Sequence, residues 1–428
     1  MLLKVSKSNI RAESEIEIPG SKSHTIRALF IASLAQGQSK ILRPLISGDA
    51  LSAVKTCEKL GAGIYEKDNN FIVDGFGKKP SIPDDIVDVG NSGTTLKFGA
   101  ATAALVEGYT VFTGDKQIRS RPMEPLIKAL NNLGAEVFST RNNGRAPIVV
   151  KGAMKGGITE LDAHSSQYLS ALLIACPLLE KDTEIILTRL NEKPYVEMTL
   201  WWLDKHDIKY SNNDFKSFYI KGGQEYKPFQ IVIPGDFSSA TFFMVLAAIS
   251  GQSITLKNLD MTDPQGDKLV LSYLENMGAK IYYGENSVTV KGDKLHGIEI
   301  DMNATPDALP AMAVAGCFAE GETRLLNVPQ ARIKETDRIS VMCHELRKMG
   351  ADIHELPDGL VIRNSKLTGC EVSGHYDHRV AMALAIAGVN SEGTTIIDTA
   401  ESINVTFPEF ISFLQQCGGN LELIKEIV

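Results

Sequence analysis

Basic residues recur along this chain at matched positions, and the spacing suits a binder of small, multiply charged anions. Lys22 and Arg27 flank a Ser-rich turn, and Arg379 follows Asp377-His378. Arg121 and Arg338 lie 13 and 12 residues ahead of Gly134 and Gly350, and Tyr195 lies 12 ahead of Asp207. Lys334, Glu335 and Asp337 crowd the segment just before Arg338. Each of these positions falls where a helix is expected to begin, although a cation near a helix N-terminus is locally unfavourable. A solvated charge run has no reason to keep such a phase, so Lys22, Arg121, Lys334, Arg338 and Arg379 read as ligand-binding. Three residues near them could move protons. Asp307 precedes an apolar helical run, where a plain helix cap is the competing reading. Glu335 lies between Lys334 and Arg338, and His378 adjoins Arg379. A carboxylate among cations favours its ionised form and so starts as a base. A positioned proton-transfer group contributes about 10²–10⁴-fold in rate.

Other chemistries are missing from the pattern. No phosphate-binding G-x-x-x-x-G-K-[ST], dinucleotide G-x-G-x-x-G or nucleophile-elbow G-x-S-x-G run occurs. Neither His344-Glu345 nor His354-Glu355 continues into H-E-x-x-H, so no metal site is expected. The six cysteines form no C-x-x-C pair and read as buried free thiols of a reducing compartment.

The elements that position these residues come from an internal repeat. Leu60-Gly61-Ala62 recurs as Leu133-Gly134-Ala135, Met277-Gly278-Ala279 and Met349-Gly350-Ala351, and in worn form as Cys417-Gly418-Gly419. Asp207 keeps the phase without glycine, and successive spacings are 73, 73, 71, 72 and 68 residues. Each glycine follows a helical run and precedes an extended one, as a left-handed residue closing a helix does. About 40 residues upstream of each, a polar cluster opens an apolar run: Gly20-Ser21-Lys22-Ser23, Gly90-Asn91-Ser92-Gly93-Thr94, His164-Ser165-Ser166-Gln167, Gly235-Asp236-Phe237-Ser238-Ser239, Thr305-Pro306-Asp307 and Tyr376-Asp377-His378-Arg379. These are N-cap signals before helices that are apolar all round, hence buried.

The second repeat sets the pattern. A strand over 85–89, a buried helix over 94–106, a strand over 109–113, a helix over 122–133 and a hairpin over 136–150 give β-α-β-α-β-β. The expected fold is therefore α/β (α+β): two similar globular domains, each of three such units with buried parallel helices. The first domain spans 20–234. The second is discontinuous, 1–19 with 235–428, the opening strand over 2–18 serving it. Parallel buried helices aim their N-termini one way, and each end stabilises an anion by about 0.3–2 kcal/mol.

The 44 Lys+Arg against 52 Asp+Glu leave a net charge of −8, which argues against a chain-wide nucleic-acid surface. With 43% hydrophobic and 22% charged residues the chain reads as globular. No apolar stretch reaches the roughly 18 residues of a spanning helix. The segment 1–18 carries polar residues throughout and lacks a secretory apolar core, so a cytoplasmic protein without membrane association is expected.

Taken in order, Pro19-Gly20-Ser21-Lys22-Ser23 with Arg27-Ala28-Leu29, Gly90-Asn91-Ser92-Gly93-Thr94, Arg121-Pro122, Ser165-Ser166-Gln167, Lys193-Pro194-Tyr195, the run Arg332 to Arg338, Asp377-His378-Arg379 and Thr406-Phe407-Pro408 resemble the enolpyruvyl transferases. Within that family they are similar to the members that join phosphoenolpyruvate to the 5-hydroxyl of shikimate 3-phosphate and release phosphate, a step of the shikimate pathway of aromatic amino-acid biosynthesis. The resemblance covers essentially the whole chain. It implies two three-unit domains with the active site in the interdomain cleft, no metal or organic cofactor, inhibition by glyphosate and a monomer.

By the same resemblance, Lys22, Ser23, Arg27, Ser165, Ser166, Gln167, Tyr195, Asp307, Gln330 and Lys334 contact shikimate 3-phosphate. Lys22, Gly93, Arg121, Arg338 and Arg379 contact phosphoenolpyruvate. Asp307 takes the 5-hydroxyl proton. Glu335 exchanges a proton with the methylene carbon, with Lys22 and His378 assisting. Four positions depart from the pattern: Lys97 where many members have Arg, Glu192 where members usually have Ser near the substrate phosphate, Gln330 where some have Asn, and Val405 where some have Lys. A carboxylate at 192 would repel that phosphate unless it turns away or pairs with Lys193. The sister enzymes acting on UDP-N-acetylglucosamine carry a cysteine in the loop matching Gly114–Arg121, and this chain has none there. A regulatory anion-binding paralogue is the alternative of a different class. RNA 3′-phosphate cyclases share related units but need a histidine nucleophile motif that is missing here.

Overall fold

The computed structural model describes residues 1–425. The chain divides into two compact units, Gly20–Ile233 and a discontinuous one, Met1–Pro19 with Pro234–Val428. Pro234 thus falls one residue to the other side of the boundary read from the sequence. Each unit has an apolar core of its own.

Among the described residues, each unit contains three four-stranded sheets of one repeated topology. In the second repeat Val87–Asp88 runs parallel to Gly108–Thr113, which pairs antiparallel with Ile148–Gly152, and that strand with Glu136–Ser139. The helix Gly93–Ala103 connects the parallel pair, and Glu124–Asn132 leads into the hairpin. The third repeat repeats this with Gly157–Ala163, Thr183–Leu190, Ser217–Ile220 and Tyr210–Asn213, and the fifth with Glu299–Asp301, Glu322–Leu326, Gly359–Arg363 and Asp352–Leu356. In the first repeat the leading strand is Gln230–Val232, from the far end of the same unit, parallel to Gln36–Leu42.

The expected single strand over 2–18 is two strands serving two sheets. Leu2–Ser6 lies between Thr394–Asp398 and Asn420–Ile424, whereas Glu13–Glu17 runs parallel to Ser253–Lys257. The chain turns between them where the Ser8 hydroxyl donates to the Ser6 carbonyl (2.7 Å), a local side-chain bond that competes with strand pairing.

The six helices that open at the polar clusters are the buried ones. Phe237–Ser250 has twelve residues buried, and it packs pairwise with Leu309–Phe318 and His378–Asn390. In the other unit Gly93–Ala103 packs on both Lys22–Leu34 and Ser166–Ala175. Alanine, glycine and serine let these backbones approach, while each buried Leu, Phe or Met contributes about 1.5–3 kcal/mol.

The repeated glycines hold left-handed backbone where the second helix of each unit ends: φ is 106° at Gly61, 103° at Gly134, 119° at Gly278, 95° at Gly350 and 100° at Gly418. Asp207 occupies the same turn at φ 57°, with Ile208 N–H donating back to Leu203 (3.0 Å). A non-glycine residue there costs about 1–2 kcal/mol, partly offset by glycine's larger unfolded-state freedom. Asp207→Gly should therefore raise stability by about 0.5–1 kcal/mol, read as a higher urea midpoint at unchanged slope.

Candidate active site

In the unit Gly20–Ile233 the helix N-termini at Gly93 and Ser166 converge. A Cβ added at Gly93 would lie 2.6 Å from Arg121 Nη1, 3.2 Å from Lys97 Nζ and 3.6 Å from Gln167 Oε1. Two cations and an amide therefore close around a backbone that carries no side chain. Gln167 Nε2 donates to Thr94 Oγ1 (3.0 Å), tying the two helices together. Arg121 precedes the helix Glu124–Asn132 by three residues, at the end of the short 3₁₀ turn Ile118–Ser120, instead of standing in its first turn. Its backbone is fixed from the next residue, because the Tyr168 hydroxyl donates to the Pro122 carbonyl (2.6 Å). Burial, then the Glu192 and Asp162 charges, push that hydroxyl's pKa well up, so it stays a donor.

Lys22 opens its helix and pairs with Asp49 (3.1 Å). Arg27 is committed to the protein. Its guanidinium donates to Thr199 Oγ1 (2.9 Å), the Ser23 carbonyl (3.0 Å), Ser170 Oγ (3.4 Å) and the Tyr195 carbonyl (3.0 Å), and it lies over Phe98. Four of its five N–H groups are thus spent, three of them tying its helix to Ser166–Ala175 and Lys193–Lys205 and one within its own helix. Burial lowers its pKa to about 10, so it remains charged at neutral pH. Ser165 is the residue ahead of the helix Ser166–Ala175, and Tyr195 lies half-buried in the first turn of Lys193–Lys205.

Glu192 does not turn away to solvent. It is 1% exposed, and its Oε2 accepts both the backbone N–H (3.1 Å) and the hydroxyl (2.7 Å) of Ser166. Lys193 lies over the Phe215 ring, 4.1 Å from its centroid.

The discontinuous unit centres on Arg338, which is 1% exposed. Its Nε donates to Asp377 Oδ2 (2.8 Å), Nη1 to Asp307 Oδ1 (2.8 Å) and Nη2 to Glu335 Oε2 (2.6 Å). Burial pulls the guanidinium's pKa down, but Asp377, Glu335 and Asp307 together drive it above its ordinary value. Asp307 also meets Arg379 Nη2 (3.1 Å) and Lys334 Nζ (3.7 Å). The helix cap considered for Asp307 is not what forms: it sits in the 3₁₀ turn Pro306–Ala308, no side chain caps the following helix, and its oxygens go to cations. His378 is buried at the first position of its helix. Gln330 is buried, its Nε2 donating to the Asn303 carbonyl (3.0 Å).

Several members of this arrangement had no sequence signal as site residues. Asp377 both caps its own helix, accepting from Arg379 N–H (2.9 Å), and grips Arg338. Buried Asp267 accepts from the Ser238 hydroxyl, and burial together with the Asp307 charge raises its pKa to about 6. Buried Glu345 receives His375 Nε2 (2.8 Å), Lys348 Nζ (2.8 Å) and Ser373 N–H (3.0 Å), so although burial opposes ionisation its pKa falls below the ordinary value. It thereby fixes a loop in which His375 and Tyr376 are both left-handed (φ 52° and 56°), immediately ahead of Asp377-His378-Arg379. Among the described residues, no group of three or more His, Cys, Asp or Glu is placed to hold a metal ion, and no helix is long and apolar enough to cross a membrane. The six cysteines are free thiols.

The family model described as EPSP synthase (3-phosphoshikimate 1-carboxyvinyltransferase) matches residues 7–414. A protein of Acetivibrio thermocellus named 3-phosphoshikimate 1-carboxyvinyltransferase is 67% identical over 98% of this chain and 99% of its own length. One of the same name from Ruminiclostridium cellulolyticum is 62% identical over 99% of this chain and 100% of its own. The solved structure of an EPSP synthase from Acinetobacter baumannii superposes with a TM-score of 0.84 at 27% identity, covering 99% of this chain and 100% of that one. With the same repeated topology and relatives this similar over their full length, the chain belongs to the EPSP synthase (3-phosphoshikimate 1-carboxyvinyltransferase) family.

Proposed function

We infer that the chain transfers the enolpyruvyl group of phosphoenolpyruvate to the 5-hydroxyl of shikimate 3-phosphate and releases inorganic phosphate, a step of the shikimate pathway. The observation that carries this reading is the convergence of Asp307 and Glu335 on one buried guanidinium, with Arg379 and Lys334 beside Asp307. The reaction needs proton transfers at the 5-hydroxyl and at C3, next to substrates that are themselves phosphates and carboxylates, and Asp307 and Glu335 stand here among three cations, with Asp377 a third carboxylate on Arg338.

In this reading Asp307 accepts the 5-hydroxyl proton as that oxygen bonds to C2 of phosphoenolpyruvate, while Glu335 protonates C3. The product of the addition is a tetrahedral intermediate. Glu335 then removes a proton from C3 as the C2–O bond to phosphate breaks, which restores the double bond and the Glu335 acid, and the proton held by Asp307 leaves with the phosphate. Lys22 and His378 assist. Arg121, Arg338, Arg379 and Lys22, with the open backbone at Gly93, take phosphoenolpyruvate. Ser23, Arg27, Ser165, Ser166, Gln167, Tyr195, Asp307, Gln330 and Lys334 take shikimate 3-phosphate. For Arg27 the support is indirect, since its bonds hold Ser23 and Tyr195 in place. The same reading makes the protein cytoplasmic and monomeric, with glyphosate competing at the phosphoenolpyruvate position.

A phosphate-release assay with phosphoenolpyruvate and either shikimate 3-phosphate or UDP-N-acetylglucosamine tests it. Turnover with shikimate 3-phosphate alone is expected. Turnover with the second acceptor only, or with neither, overturns it.

Gly93→Ala gives a sharper outcome. Gly93 is the first residue of its helix, where alanine is no worse a helix former, so folding should persist. The added methyl would stand 2.6 Å from Arg121 Nη1. That flexible side chain yields at little cost in stability, but it leaves the position in which it meets an anion. The KM for phosphoenolpyruvate should rise at least about tenfold, equivalent to 1.4 kcal/mol, with an unchanged melting temperature. An unaltered KM would remove Gly93 and Arg121 from that subsite.

A further inference from the structure

We propose that Glu192 is a specificity-determining residue, a resident anion that competes with the substrate's phosphate for the donors of Ser166. The inference rests on the reading above, in which Ser166 belongs to the shikimate 3-phosphate subsite.

One carboxylate oxygen, Oε2 of Glu192, takes the Ser166 backbone N–H at 3.1 Å and its hydroxyl at 2.7 Å. Those are the two donors that the first residue of the helix Ser166–Ala175 can offer an incoming phosphate. Each donor has one hydrogen, so the two anions cannot both hold it. They also repel at contact distance in a buried site, where charge interactions are stronger than in water. Glu192 is no surface residue that swings freely into this position. It is 1% exposed and sits in left-handed backbone (φ 57°) directly ahead of the helix Lys193–Lys205. Its neighbour Lys193 is engaged over Phe215, so the adjoining ammonium does not draw the carboxylate away from Ser166. The fold therefore delivers a negative charge to the donors from a fixed point on the backbone. Substrate must displace that carboxylate from Ser166, and the affinity for the phosphate ester is lower than the same donors would give if vacant.

Two variants separate charge from shape. Glu192→Gln keeps the volume and an acceptor for Ser166 but carries no charge, and Glu192→Ser removes the side chain's reach. Isothermal titration should show both binding shikimate 3-phosphate at least about tenfold more tightly than the parent protein, with binding of unphosphorylated shikimate unchanged. In the background of Ser166→Ala, which removes the contested hydroxyl but keeps the contested backbone N–H, the advantage should shrink without vanishing. Equal or weaker binding of shikimate 3-phosphate by both variants, at unchanged melting temperature, overturns the proposal and makes Glu192 a positioner of Ser166. Titration with inorganic phosphate distinguishes this from failure of the parent reading. If the parent protein turns over no shikimate 3-phosphate, the functional reading fails, and tighter phosphate binding by the variants still upholds the competition at Ser166, whereas unchanged phosphate binding rejects it.

Discussion

Glu335→Gln should bind both substrates within a few fold of the parent protein while kcat falls by about 10²–10⁴-fold. The glutamate is nearly buried, and its Oε2 accepts from Arg338 Nη2 at 2.6 Å. Glutamine has the same length and still offers Arg338 a carbonyl oxygen, so the guanidinium keeps an acceptor and its position. What is lost is a group that can give a proton to C3 of phosphoenolpyruvate and take one back. Steady-state kinetics would show the drop in kcat with KM nearly fixed, the pattern of an interaction used only in the transition state. Turnover in deuterated water adds a second measure. The parent protein should wash deuterium into the methylene group through reversible addition, and the variant should not. Unchanged kcat and unchanged exchange would remove Glu335 from proton transfer. A raised KM with unchanged kcat would reduce it to one of Arg338's counter-charges.

The repeat was legible in the sequence because it is written in a residue whose backbone freedom is physical. A left-handed residue must close each second helix, and glycine is the cheapest one, so Gly61, Gly134, Gly278, Gly350 and Gly418 mark the period on their own. Asp207 shows that the phase survives where the cheapest residue is absent. The buried helices were legible for a similar reason, since a helix apolar on all sides has only an interior to occupy. The single strand over 2–18 failed because the chain turns after Ser6, where the Ser8 hydroxyl bonds back to the Ser6 carbonyl, a local side-chain bond that the strand reading left out. The cation register of Arg338 and Arg379 was visible, but their partners were not. Asp307 meets Arg338 from 31 residues away and Asp377 from 39, and Ser166 meets Glu192 from 26. Such pairings are set by which helix ends the sheets bring together, a property of the assembled unit. Local reasoning accordingly offered Asp307 a helix cap and left Asp49, Tyr168 and Asp377 without a role in the site.

Arg338→Met should destabilise the protein by about 3–5 kcal/mol, the cost of leaving buried charge without its partner. The methionine fills much of the volume, so the loss measures charge and hydrogen bonds more than a cavity. Asp377 is fully buried and gives both oxygens to this guanidinium, at 2.8 and 3.3 Å. Asp307 and Glu335 lose a partner with it, though Asp307 keeps Arg379 and Lys334 nearby. Urea unfolding followed by circular dichroism would read the loss. Its pH dependence has a definite sign: the stranded carboxylates can be relieved only by binding protons in the folded state, so that state takes up more protons than the unfolded chain and the defect shrinks as pH falls. Neutralising one carboxylate should act the same way, making Arg338→Met with Asp377→Asn less unstable than the single change plus the separate cost of Asp377→Asn. Arg338→Lys tests geometry apart from charge. An ammonium restores the positive charge but is a single point on a flexible stem, and it cannot reach three carboxylates along three directions as a planar fork does. It should recover part of the stability and little of the binding of phosphoenolpyruvate. Full recovery of both by lysine would mean that net charge alone, and not the directed bonds to Asp307, Glu335 and Asp377, organises this cluster.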